Sequence, residues 1–367
     1  MSKELNLFPY NPDEPYNGLP VLPPKINLET ETILRKTAKA RAALAELKGI
    51  ASIIPNQNIL INTISLKESK DSSEIENIIT TNDKLFKAIS SSLKNQDSAT
   101  KEVIYYREAL WEGYKEVEKT KMITVNTINF IQEKIIKNNA GIRKLPGTKI
   151  ENTKTGKVIY TPPEGKQLLN SMLGNLETYI NKNGDIDPLI KLAVIHYQFE
   201  AIHPFYDGNG RTGRIINILY LILKNLLDIP VLYLSSYIIR NKKKYYDLLR
   251  SVTENSNWEE WILFILEGIE VTSIETISKI KEIKKLLDET IEIVKEKSPK
   301  IYRKELIELI FEQPYTKISN IVNSNIAARR TASNYLIELE RIGLMKKFKF
   351  GKESLFLNTR LYNLLKE

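Results

Sequence analysis

Apolar residues recur three or four positions apart along most of the chain, with charged and polar residues between them. This spacing predicts helices, because a helix places such positions on one face. The longer predicted helices cover residues 28–47, 99–118, 123–138, 163–181, 189–199, 215–227, 235–252 and 258–297. The pattern therefore predicts a mainly α fold.

The N-terminal region interrupts this pattern. Residues 1–24 hold six of the fifteen prolines, which predicts an extended arm rather than a packed element, since proline lacks a donor and restrains its predecessor. Gly49 is predicted to end the first helix, and an irregular stretch follows to about residue 65. Residues 67–79 are interpreted as a loop entering a short helix, where Ser72 or Ser73 caps the start and Glu76 completes a capping box.

The spacing of apolar residues changes from the helical pattern where strands are predicted. Residues 144–151 and 157–160 flank a polar turn at 152–156, which predicts a β-hairpin. Near the C-terminus, helices over 302–311, 317–322 and 326–342 precede strands over 344–350 and 354–357. This order resembles a winged helix-turn-helix, with Arg329 and Arg330 early on the predicted recognition helix.

Composition narrows the class of protein. The chain has 367 residues, no cysteine and a net charge of +9. Disulfides and thiolate metal sites are thereby excluded, which fits a cytoplasmic protein. The first residues lack the apolar segment of a signal peptide, and the most apolar run, 215–227, is too short to span a bilayer. No membrane association is predicted.

Positive charge is concentrated near the C-terminus. Residues 298–367 contain 13 Lys/Arg and 7 Asp/Glu side chains, a net charge of +6. A basic domain favours an acidic partner such as DNA, and the alternative is a solvated lysine-rich surface. Winged helices also serve as protein-contact modules, so DNA and protein both stay open as partners.

The stretch His203-Pro-Phe-Tyr-Asp-Gly-Asn-Gly-Arg-Thr-Gly-Arg214 holds the densest candidate chemistry. It combines a histidine, an acid, three glycines and two arginines directly before an apolar helix. Unpaired N–H groups at a helix N-terminus attract anions, and arginine suits phosphate. Histidine can move a proton near neutral pH. The sequence therefore predicts phosphate chemistry here.

A metal site is the alternative use of the histidines. His196 lies seven residues before His203, or two helical turns, and Asp207 could supply a third ligand. Pro204 should end the helix before His203, however, because proline disfavours helical backbone in its predecessor. This favours a packed, hydrogen-bonded His196 over a metal ligand.

The pattern His203-x-Phe-x-Asp-Gly-Asn-Gly-Arg-x-x-Arg214 is similar at every defining position to the signature of the Fic family, whose members mostly transfer AMP from ATP to hydroxyl side chains of proteins. The resemblance extends to the hairpin ending in Tyr160-Thr-Pro-Pro163. It also extends to Ser72-x-x-x-Glu76-Asn77, which resembles an inhibitory motif of Fic proteins. It implies a Fic-type helical bundle with a β-hairpin flap, an N-terminal helical regulatory region and a C-terminal winged helix-turn-helix.

The resemblance also implies roles for the motif residues. His203 would be the general base that takes the proton of the attacking hydroxyl, and Asp207 would hold Mg²⁺. The residues implied to bind the phosphates of ATP are Gly208, Asn209, Gly210, Arg211 and Arg214. Gly210 stands where Doc-type relatives have lysine, and glycine favours AMP transfer with release of pyrophosphate.

Further roles follow from the same resemblance. Glu76, within the inhibitory motif Ser72 to Asn77, would pair with Arg214 and block the seat of the γ-phosphate. Some members with this arrangement also remove AMP. Tyr246 would line the adenine pocket, and its alternative is simple packing against the helix below. The flap, residues 144–160, would hold a target segment by strand addition.

We expect four parts: residues 1–97 as arm and regulatory region, 98–270 as the Fic catalytic domain, 271–299 as a connecting helix and 300–367 as the winged-helix-like domain. The expected ligands are ATP as substrate and Mg²⁺. The expected partners are target proteins with a modifiable hydroxyl, the protein itself through self-modification, a second copy in a homodimer, and DNA bound by residues 300–367. The alternative function is an ATP-sensing, DNA-binding transcriptional regulator.

Overall fold

The structure is a computed structural model that describes residues 10–90, 96–151, 155–184, 186–350 and 353–366. Helices dominate these ranges, so the prediction of a mainly α fold is confirmed. The helices are α1 (Glu31–Ala51), α2 (Gln57–Ile75), α3 (Asn82–Ser90), α4 (Ser98–Thr120), α5 (Val125–Ile136), α6 (Lys166–Asn181), α7 (Pro188–Ile202), α8 (Asn209–Leu223), α9 (Leu234–Arg240), α10 (Lys242–Asn255), α11 (Trp258–Lys297), α12 (Lys304–Glu312), α13 (Ile318–Asn323), α14 (Arg329–Arg341) and α15 (Thr359–Lys366). The strands are β1 (Ile150–Glu151), β2 (Val158–Tyr160), β3 (Tyr315–Thr316), β4 (Lys346–Phe350) and β5 (Glu353–Leu357).

The chain divides into two compact units. The first contains residues 1–44, 105–230 and 234–271, and the second contains residues 45–104, 231–233 and 272–367. The four-part division expected from the sequence stays a prediction.

The core of the first unit is built on α7 and α8, which pack against each other and against α6 and α5. Nearly every residue of α7 is buried, including His196. The helix begins at Pro188, where the side chain of Asp187 accepts a hydrogen bond from Leu189 N–H at 2.8 Å. A helix that is apolar all round belongs inside a protein, so α7 is the central helix of this unit.

Residues 10–24 of the N-terminal arm are packed within the first unit, contrary to the expectation of an unpacked segment, and residues 1–9 lie outside the described residues. Tyr16, Leu19 and Leu22 are all at least nine-tenths buried. Tyr16 N–H donates to Thr161 O at 3.0 Å, and the Tyr10 hydroxyl donates to Ile159 O at 2.9 Å. The prediction was wrong because proline-rich backbone can still be anchored through its aromatic and leucine side chains.

The second unit contains α2, α3 and the C-terminal elements. Its apolar cluster joins Leu66 of α2, Phe86 of α3, Tyr315 of β3 and Leu355 of β5. Helix α2 also packs against α12. The irregular stretch expected to residue 65 is therefore wrong, because α2 begins at Gln57 behind the N-cap Asn56.

Several other boundaries differ from the predictions. Helix α1 continues through Gly49 to Ala51, and α3 and α15 were missed. The predicted helix 235–252 is broken at Asn241 into α9 and α10.

The C-terminal segment contains the three predicted helices and the two predicted strands, in the expected order α12, α13, α14, β4, β5. The short strand β3 is an addition. It joins them in an antiparallel sheet of order β3-β5-β4, in which Tyr315 pairs with Leu357 and Lys347 pairs with Phe356.

Candidate active site

The candidate site begins where α7 ends. His203 is the C-cap of this helix and adopts a left-handed backbone, with φ 47° and ψ 58°. Its N–H donates to Phe199 O at 3.1 Å, and Pro204 then turns the chain away. Left-handed backbone costs about 1–2 kcal/mol for a residue with a Cβ. The surrounding contacts must therefore hold His203 in this conformation.

Arg143 supplies those contacts, although no sequence motif identified it. Its side chain is 1% exposed, and its Nε donates to His203 O at 2.8 Å. Its Nη2 donates to Ile202 O at 3.2 Å and to Pro163 O, and its main-chain N–H donates to Pro204 O at 2.9 Å. The last carbonyls of a helix lack intrahelical donors, and a cation is stabilising there. Arg143 thus ties the His203 turn to both ends of the flap.

The loop after His203 is closed by Asn209. Its side-chain Oδ1 accepts a hydrogen bond from Phe205 N–H, and its Nδ2 donates to Phe205 O, both at 2.8 Å. Asn209 is 2% exposed. Sequence reasoning gave its backbone a role in phosphate binding and did not foresee that its side chain locks the loop.

Gly208 sets the start of α8. It is the N-cap in the left-handed region, with φ 77°, which glycine adopts without strain. A Cβ there would lie 2.8 Å from Cδ1 of Ile136. Two features therefore require glycine at position 208: the left-handed backbone and the close approach of α5. Thr212 N–H donates to Gly208 O at 2.9 Å, the first bond of α8.

Asp207 lies beside this helix start, with a side chain that is 68% exposed. Its Oδ1 accepts a hydrogen bond from Gly208 N–H at 2.6 Å and lies 3.6 Å from Nη2 of Arg211. The described residues contain no cluster of three His, Cys, Asp or Glu side chains that could hold a metal. An exposed single carboxylate fits Mg²⁺ that takes its other ligands from substrate phosphates and water.

The two arginines of the motif are buried on α8. Arg211 is 1% exposed and Arg214 is 3% exposed, whereas Gly210 beside them is partly exposed. A guanidinium this deeply buried needs anionic or polar partners. The phosphate-binding role expected for Arg211 and Arg214 stays a prediction.

Gly213, next to Arg214 on α8, allows this helix to approach α7 closely. A Cβ at Gly213 would lie 2.7 Å from Oε1 of Glu200 and 2.9 Å from Cδ1 of Phe199. A residue with a Cβ fits here only if the side chains of Glu200 and Phe199 shift. Gly213 was not singled out from the sequence, because its role depends on a neighbour in another helix.

His196 is a packed residue rather than part of the site. Its Nε2 lies 2.9 Å from the Tyr245 hydroxyl, and its ring stacks on Trp261 with centroids 5.8 Å apart. Burial, together with the positive charge of Arg214, lowers the pKa of His196 to about 3. It is therefore neutral at physiological pH, and the packed, hydrogen-bonded interpretation describes its surroundings.

The flap is a short antiparallel ladder in which Ile150 pairs with Tyr160 and Glu151 with Val158. Part of its turn, residues 152–154, lies outside the described residues. The hydroxyl of Tyr206 accepts hydrogen bonds from Lys144 N–H at 3.0 Å and Leu145 N–H at 3.2 Å, and these bonds lower its pKa. Tyr206 occupies an undefined position of the motif and was missed by sequence reasoning.

The far strand of the flap is anchored as well. The Tyr160 hydroxyl donates to Ala201 O at 2.7 Å, near the C-terminus of α7. Its ring stacks on Tyr10 of the arm, and burial raises its pKa well above the ordinary value. Both ends of the flap are thus fixed to the turn that carries His203.

Tyr246 lies on α10 and is 46% exposed, with its ring edge-on to buried Tyr245 at 5.1 Å. Exposure leaves the ring face accessible. The adenine contact expected for Tyr246 stays a prediction.

The proposed inhibitory residues lie at the end of α2, in the second unit. Ser72 is fully buried, Glu76 is the C-cap, and Asn77 is left-handed with φ 64°. Ile78 N–H donates to Ser73 O and Asn77 N–H to Glu74 O, both at 3.0 Å, which is a Schellman motif. The predicted capping box is therefore wrong, since these residues end a helix instead of starting one. The Glu76–Arg214 pair stays a prediction.

Comparisons with known proteins decide the family. A model described as Fic/DOC family matches residues 122–221, and one described as Fic/DOC family N-terminal matches residues 34–115. A third, described as protein adenylyltransferase SoFic-like, C-terminal domain, matches residues 286–361. The chain belongs to the Fic/DOC family. The His203–Arg214 loop lies inside the central match, and Glu76 lies inside the N-terminal match.

Curated relatives match parts of this Fic chain. A probable protein adenylyltransferase of Aquifex aeolicus is 31% identical over 97 residues, which is 26% of this chain and 28% of the relative. The protein adenylyltransferase Fic of Aedes aegypti is 26% identical over 158 residues, 42% of this chain and 30% of the relative. The matched segments thus span less than a third of the length of either relative.

Solved structures share the fold. A Fic family protein from Desulfovibrio desulfuricans superposes with a TM-score of 0.57 at 17% identity, covering 91% of this chain and 98% of that chain. Fic-1 from C. elegans gives a TM-score of 0.52 at 18% identity over 68% of this chain and 74% of that chain. None of the described helices is both long and apolar enough to cross a membrane.

Proposed function

We propose that this Fic protein is a protein adenylyltransferase, which transfers AMP from ATP to a hydroxyl side chain of a protein. One observation carries the proposal: His203, fixed in a left-handed turn, is followed within one loop by the glycine-rich start of α8 and two buried arginines. The proton acceptor, His203, therefore lies only a few residues in sequence from the anion site at the start of α8.

The transfer forms one bond and breaks one. The hydroxyl oxygen of the target attacks the α-phosphorus of ATP, and the bond from that phosphorus to the β-bridging oxygen breaks, so that pyrophosphate leaves. His203 accepts the hydroxyl proton on its ring. The backbone N–H groups at the start of α8 and the guanidinium groups of Arg211 and Arg214 stabilise the charge of the phosphates.

Asp207 would hold Mg²⁺ through its exposed carboxylate. When bound, the ion would neutralise charge on the phosphate oxygens. The residues of the chain do the positioning: Asn209 closes the loop, Gly208 admits close approach, and Arg143 fixes the carbonyl of His203. Gly210 leaves room where a lysine side chain would otherwise reach the phosphates.

Regulation by Glu76 belongs to the same proposal. Its carboxylate would compete with the γ-phosphate for Arg214, since a guanidinium fork binds either anion in the same geometry. The rigid Schellman end of α2 supports this, because it fixes the backbone that carries Glu76. Some Fic members with this arrangement also remove AMP from modified proteins. By the same resemblance, we propose de-AMPylation as a second activity of this site.

The test uses Glu76→Ala as an unrestrained background. ATP labelled at the α-phosphorus is incubated with this variant and with Glu76→Ala/His203→Ala, and label on protein is measured for self-modification and for cell extract. We expect the added His203→Ala change to abolish label transfer. Equal labelling by both variants would overturn the proposal, and an unchanged melting temperature of the double variant shows that it is folded.

A second candidate function is DNA binding by the C-terminal segment. Arg329 and Arg330 at the start of α14 are exposed, as are Lys346, Lys347 and Lys349 on β4. Exposed cations on a helix start and an adjacent strand suit duplex phosphates. Fluorescence anisotropy of the full chain with duplex DNA, against Arg329→Ala/Arg330→Ala, tests it. Binding that is absent at low salt, or equal in both proteins, would exclude this function.

A further inference from the structure

His196, which the proposed mechanism does not use, joins two helices of the first unit. It lies on α7, about two helical turns before His203, and its side chain is 1% exposed. Its Nε2 lies 2.9 Å from the hydroxyl of Tyr245 on α10, which is also 1% exposed. The helix that ends at His203 is therefore hydrogen-bonded, deep in the unit, to the helix that carries Tyr246.

An aromatic cluster fixes this hydrogen bond. The His196 ring stacks on Trp261 of α11 at an interplanar angle of 15°. The centroid of the Tyr245 ring lies 5.7 Å from that of Trp261 and 6.2 Å from that of Phe264. Trp261 is itself held, because its Nε1 donates to Ala193 O of α7 at 2.8 Å. Since protein interiors are close-packed, another position of the Tyr245 ring would displace these neighbours.

A second bridge joins the same two helices farther along α10. The hydroxyl of Tyr197 on α7 lies 2.9 Å from Oγ1 of Thr253, and both side chains are at least nine-tenths buried. Thr253 follows Tyr245 by eight residues, or about 12 Å along the helix axis. This bridge resembles the first in burial and chemistry, but it holds the far end of α10.

Tyr246 packs directly on the residue of the first bridge. Its ring lies edge-on to that of Tyr245, with centroids 5.1 Å apart and an interplanar angle of 71°. Tyr246 is 46% exposed, so a buried and hydrogen-bonded ring supports an exposed one. A flat base can pack on an aromatic ring that is open to solvent on one side and supported on the other.

We propose that His196 and Tyr245 are positioning residues for the base of ATP, because their hydrogen bond sets the ring of Tyr246 relative to the helix that ends at His203. This rests on the proposed adenylyltransferase function and on the expected contact of Tyr246 with adenine. His196 and Tyr245 act through Tyr246 and contact no atom of ATP. A ring that is held in place before ATP arrives does not have to be ordered during binding, which strengthens the affinity.

Binding is tested by titration calorimetry of the full chain in the Glu76→Ala background, with ATP and with inorganic tripolyphosphate. Tyr245→Phe removes the hydroxyl and keeps the ring. We expect this change to weaken ATP binding about three- to tenfold, a range typical of the loss of one buried hydrogen bond. Tripolyphosphate has no base, so its affinity should be the same with and without Tyr245→Phe.

Tyr197→Phe is the matched control. It removes the hydroxyl of the second bridge between α7 and α10, and it loses one buried hydrogen bond as Tyr245→Phe does. Both changes should lower the melting temperature, but only Tyr245→Phe should weaken ATP binding. His196→Leu breaks the first bridge from its other end. Combined with Tyr245→Phe it should add less than about twofold, because both changes remove the same bond.

The outcomes are distinct. Equal ATP affinity with and without Tyr245→Phe overturns the proposal. Equal weakening of ATP binding by Tyr197→Phe overturns it as well, since that result assigns the effect to general loosening of α10. A matching loss of tripolyphosphate affinity would show that the first bridge acts on the phosphate site instead of the base. If the background protein binds ATP but transfers no AMP, the proposed adenylyltransferase function fails, while the calorimetry still decides the role of His196 and Tyr245.

Discussion

The guanidinium of Arg143 donates a hydrogen bond of 2.8 Å to the main-chain carbonyl of His203. The same side chain reaches Ile202 O and Pro163 O, so one buried residue joins the proposed base to both ends of the flap. Arg143 acts through His203 and contacts no reacting atom in the proposed mechanism. It is a positioning residue.

Arg143→Lys should separate catalysis from ATP binding. Lysine keeps the charge but loses the planar fork, so it cannot serve three carbonyls in fixed directions. We expect kcat to fall at least about tenfold with the KM for ATP unchanged, because small displacement of a base is costly. Initial-rate kinetics measure kcat and the KM for ATP separately. A rise in KM as large as the fall in kcat would show that Arg143 instead shapes the ATP site.

Gly213→Ala should destabilise the protein. The added Cβ meets Glu200 and Phe199 at less than 3 Å, and overpacking of this kind costs about 1–3 kcal/mol. Gly174→Ala on α6 is the matched control, since a Cβ there meets nothing within 4 Å. Chemical denaturation should show a lower free energy of unfolding for Gly213→Ala. For Gly174→Ala the free energy of unfolding should be unchanged or higher by up to about 1 kcal/mol. Equal effects would contradict the close contact of α7 and α8.

Tyr206→Phe should loosen the base of the flap. The hydroxyl accepts from two main-chain N–H groups, and loss of such bonds costs about 0.5–1.5 kcal/mol each. Hydrogen exchange at Lys144 and Leu145 should accelerate about two- to tenfold or more. Tyr114→Phe, which loses a bond to Asp228 O elsewhere in the same unit, should leave these two amides unchanged. Unaltered exchange in Tyr206→Phe would exclude its role as a tether.

The sequence predicted a helix end before His203 and a glycine-rich turn leading into α8, because the signals are local: a proline after the histidine and glycine at the helix start. It placed the start of α8 six residues too late, at 215 instead of Asn209. It predicted α2 poorly. Ser65, Ser69 and Ser73 are buried and their hydroxyls donate to the carbonyls four residues earlier, so a polar sequence forms a buried helix.

The residues that were missed depend on distant partners. Arg143 bonds to carbonyls about 20 and 60 residues away, and its own sequence neighbours give no sign of them. Helix α3 has nine residues, and it packs on β3, more than 200 positions later in the chain. A single sequence contains no local signal for contacts of this kind.

Glu76→Ala should raise AMP transfer. If the carboxylate occupies the guanidinium of Arg214, its removal frees a charge-assisted pair worth about 1.5–3 kcal/mol, or roughly 10- to 100-fold in ATP affinity. Glu74→Ala removes a carboxylate two residues away that pairs with Lys70. It should leave ATP affinity unchanged in calorimetry. Equal gains from both variants would assign the effect to general loss of negative charge.

The position of the label transferred from ATP tests the central claim most directly. Glu76→Ala is incubated with ATP labelled at either the α- or the γ-phosphorus, and label retained on protein is measured. AMP transfer predicts that protein retains the α-label, that the γ-label appears in pyrophosphate, and that His203→Ala abolishes both. Retention of the γ-label on protein, or α-labelling that persists in Glu76→Ala/His203→Ala, would contradict the account.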